Sequence, residues 1–143
     1  MPTEEIDEKK ITVPADLSEM GRVTKFIGNF LTAVHCSNKA RIQIWIAVDE
    51  IFSNIARHAD TGNGDTVTVL VHAEPEDPKS VVITFMDDGD PFDPLSVPDP
   101  DVTLSARKRR AGGLGLFMVK RITDGLSYEY RDEQNILTIR KRI

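Results

Sequence analysis

The sequence predicts an α+β fold, a two-layer α/β sandwich with helices on one face of a mainly antiparallel mixed sheet. Two segments in the first half repeat apolar residues at helical spacing. Short segments of alternating polar and apolar residues, typical of strands, come before and after them. The resulting order is strand, two helices, two strands, long loop, helix and two strands, which suits helices packed on one face of an antiparallel sheet.

Length and composition favour a single globular domain. The chain has 143 residues, of which 40% are apolar and 29% charged, an ordinary globular balance. It carries 18 basic and 23 acidic side chains, a net charge of −5, which argues against a dedicated nucleic-acid binder. We therefore expect no direct contact with nucleic acid.

Other features indicate a cytoplasmic protein without a membrane segment. The longest strictly apolar run, Ile44 to Val48, is far shorter than the roughly 18 residues that a membrane span needs. The amino terminus is acidic where a secretion signal would be basic and then apolar. The single cysteine, Cys36, cannot form an intramolecular disulfide, and we interpret it as a small buried hydrophobe.

The first half of the chain predicts one strand and two helices. Residues 1–8 form an acidic lead-in to a domain over 9–143, and residues 10–14 alternate as a strand does. Asp16 to Glu19 resembles a capping box, so a helix is expected over about 17–35. Ser37 or Asn38 can cap a second helix that runs to about Ala59.

The second half predicts two hairpins separated by a long loop and a helix. Residues 61–65 read as a turn, and strands are expected over 66–73 and 80–87. A loop from Gly89 to Gly113 contains four prolines, and loops of this length are more often functional lids than filler. A helix over 114–124 with Gly125 as its stop, alternation from Leu126 to Tyr130, a turn over 132–135 and a strand over 136–140 complete the chain.

The first candidate cluster lies on the second helix. Glu50, Asn54 and His58 follow one another at four-residue steps, which advance by only about 40° around a helix. This row borders the predicted core face, where a cleft would be lined. A carboxylate, an amide and an imidazole supply a base, a cation ligand and a polar contact, although a solvated helix flank would have the same pattern.

The second cluster ends a predicted strand. Alternation places Asp87 on the same face as Val81, Ile83 and Phe85, and an inward carboxylate requires a partner or a ligand donor. Gly89 leaves room for a tight turn and for a flat ligand. A plain strand-ending Asp-Gly turn is the alternative, and Phe92 is interpreted as loop packing in preference to a stacking platform.

The third cluster combines cations with glycines at a helix start. Four cations at 107–110 precede Gly112, Gly113 and Gly115. Free backbone N–H groups and the helix dipole at such a start favour an anion, and the cations fit a polyphosphate. The spacing is that of neither a P-loop nor a Rossmann motif. A glycine-rich turn beside a solvated basic stretch remains the alternative.

The order and spacing of the three clusters resemble the ATP-binding domain shared by gyrase, heat-shock chaperone, histidine-kinase and mismatch-repair proteins, over roughly residues 9 to 142. The motif Asp-Gly-x-Pro-Phe-Asp-Pro, which begins at Asp88, looks most like that of the stand-alone anti-sigma-factor serine/threonine kinases of bacteria. Pro91 stands where the wider superfamily usually has glycine, which should stiffen this loop.

The resemblance implies a role for each cluster. Glu50 would act as general base, or orient the attacking hydroxyl, during phosphoryl transfer. Asn54 would coordinate the Mg²⁺ that bridges the ATP phosphates. Asp87 would accept a hydrogen bond from the adenine amino group, and Gly89 would let the base lie against the strand end. A lid at about 95–111 and further residues would complete the nucleotide site; these residues are His58, Arg107, Arg110, Gly112, Gly113, Leu114, Gly115 and Leu116. Which lid cation contacts phosphate, and what His58 does, stay open.

The resemblance also implies an activity and partners. The expected activity is transfer of the ATP γ-phosphoryl group to a serine or threonine of a small anti-anti-sigma (STAS-type) protein, with a sigma factor as a second partner and a homodimer as the assembly. The alternative is a non-catalytic, nucleotide-gated binding module of the same fold. Glu50 favours the kinase, because a pure binder has no need of a carboxylate beside the metal ligand.

Overall fold

The computed structural model describes residues 8–59, 64–74, 79–96 and 113–143, with only the backbone of 113 and 114. Residues 1–7 of the predicted lead-in, part of the turn over 61–65 and most of the lid over 95–111 lie outside these residues. The elements are β1 (Lys9–Pro14), α1 (Met20–Ala33), α2 (Asn38–His58), β2 (Thr66–Glu74), β3 (Ser80–Asp87), α3 (Gly113–Ile122), β4 (Gly125–Arg131) and β5 (Gln134–Arg142). Short 3-10 turns lie at Leu17–Glu19 and Pro94–Ser96.

The five strands form one sheet in the order β1-β2-β3-β5-β4. Each of the four pairings is antiparallel among the described residues. The predicted α+β class is therefore confirmed, and the described part of the sheet contains antiparallel pairs alone. The register places Asp87 at the end of β3 directly opposite Asn135 at the start of β5.

The core lies between the helices and one face of the sheet. Alternate residues of the central strands point inward, and the apolar stripes of α1 and α2 cover them. The largest fully buried side chains come from both layers; they include Ile27, Leu31, Ile44, Ile51, Phe52, Ile83, Phe85 and Ile139. This burial fixes the rotation of α2, and thus determines which of its residues reach the edge of the core.

The predicted helix starts are close to the observed ones. The Asp16 carboxylate accepts a hydrogen bond from the Ser18 N–H at 2.8 Å, but the turn that it caps is 3-10, and α1 begins only at Met20. Glu19 binds Arg22 and makes no reciprocal capping bond. Ser37 is the cap of α2, because its hydroxyl accepts the Ala40 N–H at 3.2 Å.

The last helix and hairpin differ from the predicted boundaries. Gly125 does not stop α3, which ends at Ile122; it opens β4, where it lies against Arg140. The chain joins the sheet one residue earlier, where the Asp124 N–H donates to the Arg140 carbonyl at 2.8 Å. Asp132 and Glu133 alone form the turn, with positive φ of 55° and 62°, so that Gln134 and Asn135 belong to β5.

Among the described residues, no helix combines the length and the apolar character needed to cross a membrane.

Candidate functional site

A cleft opens where α2, the end of β3, the start of α3 and the β4–β5 hairpin meet. Its walls combine apolar side chains with a few polar groups that converge on the same space, the usual character of a small-molecule site. The lining residues are Ile51, Asn54, Ile55, His58, Asp87, Gly89, Asp90, Phe92, Pro94, Leu116, Tyr128, Asn135 and Leu137. Residues of all three predicted clusters are therefore brought to one place.

The row on α2 lies where the helical spacing predicts it, beside the buried stripe. Glu50 and Asn54 are half-buried, whereas His58 is exposed at the rim of the cleft. The Asn54 Nδ2 donates to Glu50 Oε1 at 3.2 Å. This bond points the Asn54 Oδ1 away from Glu50, and the guanidinium of the exposed Arg57 donates to it.

Glu50 also contacts the third cluster. Gly115 lies in the first turn of α3, and an added Cβ there would overlap with the Glu50 carboxylate. Only glycine permits this approach of α3 to α2 while the carboxylate keeps its position. The arrangement places an acidic side chain beside the amino end of a helix, where free N–H groups and the dipole attract anions.

The rest of the third cluster is described in part. Gly113 and Leu114 form the first residues of α3, and Leu116 is buried and lines the cleft. Arg107, Arg110 and Gly112 lie outside the described residues.

Asp87 occupies the inward position expected from strand alternation. Its Oδ1 accepts the Gly89 N–H at 3.0 Å and the Asn135 Nδ2 at 3.1 Å. Burial raises the pKa of this carboxyl above its usual value, although the two hydrogen bonds act in the opposite direction. A partly buried carboxylate that faces a cleft is suited to accept a hydrogen bond from a ligand donor.

Position 89 requires glycine because its backbone lies close to the Asp87 carboxylate, not because it adopts a left-handed conformation. Among the described glycines, positive φ occurs only at Gly64. A Cβ at Gly89 would lie 2.9 Å from Asp87 Oδ1, tighter than real Cβ contacts. The absence of a side chain thus lets the backbone fold onto the carboxylate and leaves the cleft open at this point.

Phe92 stacks on His58, with ring centroids 4.4 Å apart and an angle of 27° between the planes. The sequence interpretation treated Phe92 as loop packing and left the role of His58 open. The contact shows that the loop after β3 is attached to the last turn of α2, across the rim of the cleft.

Two residues of the cleft were missed by the sequence interpretation. Asn135 is buried, at 7% exposure, and its Oδ1 accepts hydrogen bonds from the Phe92 N–H at 3.1 Å and from the Tyr128 hydroxyl. Tyr128 belongs to the predicted alternating strand from Leu126 to Tyr130, whereas the sequence predicts a turn at Asn135. The signal that could have found it is its place two residues before Leu137 and four before Ile139, both inward on the same strand.

The side-chain oxygens of Asn54 and Glu50 are suitable ligands for a hard divalent cation. Asn54 offers a carboxamide oxygen, and Glu50 offers carboxylate oxygens at hydrogen-bond distance from the same amide. Mg²⁺ is typically held by one or two such oxygens together with substrate phosphates. Since Arg57 now donates to the Asn54 Oδ1, this guanidinium must turn away before a cation can bind there; Arg57 is exposed and can do so.

Comparison with known proteins agrees with the predicted resemblance. The family model of the histidine kinase-like ATPase domain matches residues 13–141. A serine/threonine-protein kinase of Bordetella bronchiseptica, BtrW, is 28% identical over 103 residues, which cover 72% of this chain and 71% of the relative.

A solved structure of the RsbU and RsbW domains of Rv1364c from Mycobacterium tuberculosis matches with a TM-score of 0.62 at 15% identity. The match covers 95% of this chain and 32% of that one, so this chain spans about a third of its length. The likeness concerns the fold. Together with the sheet order and the cleft, these matches confirm the resemblance, and the chain belongs to the histidine kinase-like ATPase domain family.

Proposed function

We propose that this protein is an ATP-dependent serine/threonine protein kinase that acts as an anti-sigma factor and phosphorylates a small anti-anti-sigma partner. Membership of an ATPase domain family implies ATP binding, and a relative named as a serine/threonine-protein kinase supports the finer assignment. The observation that carries the proposal is the contact of Glu50 with Gly115. Together with the hydrogen bond from Asn54 to Glu50, it brings an acid, an amide oxygen and a helix start together beside the part of the cleft that Asn54 lines.

The adenine would occupy the end of the cleft nearest Asp87. The Asp87 carboxylate would accept a hydrogen bond from the 6-amino group, and Gly89 would leave space for the ring beside the strand end. A hydrogen bond to a charged acceptor contributes on the order of 1.5–3 kcal/mol, enough to separate two bases by 10-fold or more.

The phosphates would lie along the first turn of α3. Backbone N–H groups of Gly113 to Leu116 would bind their oxygens, and Arg107 and Arg110 are proposed to add cationic contacts. Bound Mg²⁺ neutralises phosphate charge during transfer. Asn54 would contribute the protein oxygen that holds the cation, after Arg57 releases it.

The transfer itself requires a hydroxyl, a base and a leaving group in line. The serine or threonine oxygen of the partner attacks the γ-phosphorus, and the bond between that phosphorus and the β,γ-bridging oxygen breaks. The pair of electrons leaves with ADP, and the hydroxyl proton passes to the Glu50 carboxylate. Positioning and charge stabilisation, not covalent chemistry by the protein, supply most of the rate in such reactions.

The test is incubation of the purified protein with γ-labelled ATP, Mg²⁺ and each candidate anti-anti-sigma protein encoded beside it. Label on a serine or threonine of the partner, located by mass spectrometry, supports the kinase. Tight ATP binding without labelled partner would contradict the kinase and favour a nucleotide-gated binding module. The sigma-factor partner and the homodimer are checked separately, by co-purification and by light scattering.

A further inference from the structure

The amide of Asn135 joins strands and loop residues that are far apart in the sequence. Its Nδ2 lies 3.1 Å from Asp87 Oδ1, 3.1 Å from the Gly89 carbonyl oxygen and 3.0 Å from the Asp90 carbonyl oxygen. Its Oδ1 accepts from the Phe92 N–H and the Tyr128 hydroxyl. One buried side chain therefore contacts the acidic end of β3, three residues of the following loop and the neighbouring strand.

These contacts use the whole hydrogen-bonding capacity of the amide. A carboxamide has two N–H donors and an oxygen with two lone pairs. Three acceptors share the donors, and two donors occupy the oxygen. The reverse orientation of the amide would set its NH₂ group against the Phe92 N–H, so the surrounding groups fix one orientation. Asn135 lines the cleft but has no free polar group for a ligand.

A carboxylate alone does not select adenine. Adenine presents its 6-amino group as a donor, but guanine presents donors at N1 and at its 2-amino group, and a carboxylate that can turn or shift can accept from these instead. Selection of adenine thus requires that Asp87 and the adjoining backbone stay in one position. Gly89 also lies in this unit, because its N–H donates to Asp87 and its carbonyl accepts from Asn135.

We propose that Asn135 is a positioning residue that sets the base preference of the site by holding the Asp87 carboxylate and the loop over 89–92 in one arrangement. Tyr128 supports it by donating to the amide oxygen. The inference rests on the proposed binding of ATP in this cleft. It assigns specificity to a residue that acts through Asp87 and not through contact with the base.

The experiment measures dissociation constants of ATP and GTP by calorimetry for the wild type, Asn135→Ala, Asp87→Asn and the double variant. We expect Asn135→Ala to lower the ratio of GTP to ATP dissociation constants at least 10-fold. In the Asp87→Asn background, the same substitution should change the ratio less than twofold, because the carboxylate through which it acts is gone. Circular dichroism and thermal unfolding establish that each variant is folded.

Gln134→Ala is the matched control. Gln134 is also an amide on β5 that binds an aspartate of the same loop, since its Nε2 donates to Asp88 Oδ1 at 3.0 Å, but it lies on the opposite face of the strand. Its ratio should equal that of the wild type. If Asn135→Ala does not fold, Asn135→Leu decides, because leucine has a similar branched shape and offers neither a donor nor an acceptor; the same fall in ratio is expected.

The outcomes separate the two proposals. The positioning role would be overturned if the folded Asn135 variant had the wild-type ratio of GTP to ATP dissociation constants. It would also be overturned if the Asn135 substitution changed this ratio equally in the wild type and in Asp87→Asn. Neither result would affect the proposal that the protein binds ATP. A fall in ratio for Gln134→Ala as large as for Asn135→Ala would also overturn the positioning role. A wild type that binds neither nucleotide would overturn the proposed function, and this inference with it.

Discussion

The carboxylate of Glu50 occupies the space that a Cβ on Gly115 would fill, so that the acid of α2 and the helix start of α3 meet beside Asn54, which lines the cleft. These residues are 65 positions apart in the sequence (115 − 50). Their contact links two motifs that are individually common. It also explains why a side chain at position 115 should disturb the proposed chemistry more than the fold.

Gly115→Ala should impair transfer without unfolding the protein. A Cβ at this position displaces the Glu50 carboxylate, the free end of a flexible side chain, while alanine favours the helix by up to about 1 kcal/mol. We expect a loss of phosphoryl transfer of roughly 10-fold or more, since small misplacements of catalytic groups have such effects. Labelled-ATP assays and thermal unfolding measure the two quantities.

Gly21→Ala is the control for this change. Gly21 also lies in a helix, and a Cβ there meets no atom within 4 Å. Its transfer rate should match that of the wild type. Equal rates for Gly115→Ala and Gly21→Ala would contradict the importance of the Glu50 contact.

Asp87→Asn should stabilise the protein at neutral pH and weaken ATP binding. Burial raises the pKa of Asp87 in the folded state, so the folded protein binds this proton more tightly than the unfolded chain does. The free energy of unfolding therefore falls as the pH rises through that raised pKa. Below the ordinary carboxyl pKa the group is protonated in both states and this penalty is absent. The variant should therefore be more stable than the wild type at pH 7 and equally stable near pH 3, measured by urea unfolding.

The same variant should bind ATP 10-fold to 100-fold less tightly at pH 7, because an amide accepts a weaker hydrogen bond than a carboxylate. In the wild type, ATP affinity should fall on acidification at a pH above the ordinary aspartate pKa. Calorimetric titrations from pH 7 down to the ordinary aspartate pKa follow this change. Unchanged ATP affinity in Asp87→Asn would exclude Asp87 from base recognition.

Arg57→Ala should lower the Mg²⁺ concentration needed for half-maximal ATP binding. Arg57 donates to the Asn54 oxygen and brings a positive charge beside the proposed cation ligand. Removing one unit charge about 5 Å from a divalent cation in water changes the binding free energy by roughly 1.7 kcal/mol, or about 15-fold, and salt screening reduces this value. Titration of Mg²⁺ at fixed ATP measures the shift.

Arg22→Ala controls for the loss of a cation, because Arg22 pairs with Glu19 outside the cleft. It should leave the Mg²⁺ requirement unchanged. A higher Mg²⁺ requirement in Arg57→Ala would show that Arg57 assists the cation site instead of competing for its oxygen.

Asp124 should stabilise the protein at neutral pH and lose this effect in acid, which is the opposite of the pH dependence expected from Asp87. Its Oδ2 accepts the Arg142 N–H at 2.7 Å and lies 3.6 Å from Lys141 Nζ. The hydrogen bond lowers the pKa of this carboxyl, so its contribution is present above the ordinary pKa and is lost as the pH falls through the lowered one. Asp124→Asn should lower the free energy of unfolding at pH 7 and change it little at pH 2. Equal losses at both values would contradict the assignment.

The sequence was sufficient for the parts of the fold that depend on periodicity. The apolar stripe of α2 predicts which side of the helix is buried, and therefore where Glu50 and Asn54 emerge. Alternation along β3 predicts that Asp87 points inward. Both are consequences of local geometry, and the structure bears them out.

The features of the fold and the site that the sequence does not predict depend on contacts between distant segments. The Asp132–Glu133 turn needs positive φ at two residues that lack the freedom of glycine. The sequence therefore predicts too long a turn for this hairpin and leaves Asn135 outside the strand. The stacking of Phe92 on His58 depends on how the loop after β3 folds back over α2. No local pattern encodes either relationship.

In the proposed mechanism, Glu50 serves as the general base of a protein kinase. Glu50→Gln keeps the shape that packs on Gly115 and an oxygen for the Asn54 amide, but it cannot take up a proton. The decisive measurement is the single-turnover rate of phosphoryl transfer to the partner at saturating ATP and Mg²⁺. We expect a fall of about 10²-fold to 10⁴-fold with ATP affinity within twofold of the wild type. Transfer at the wild-type rate would contradict the claim.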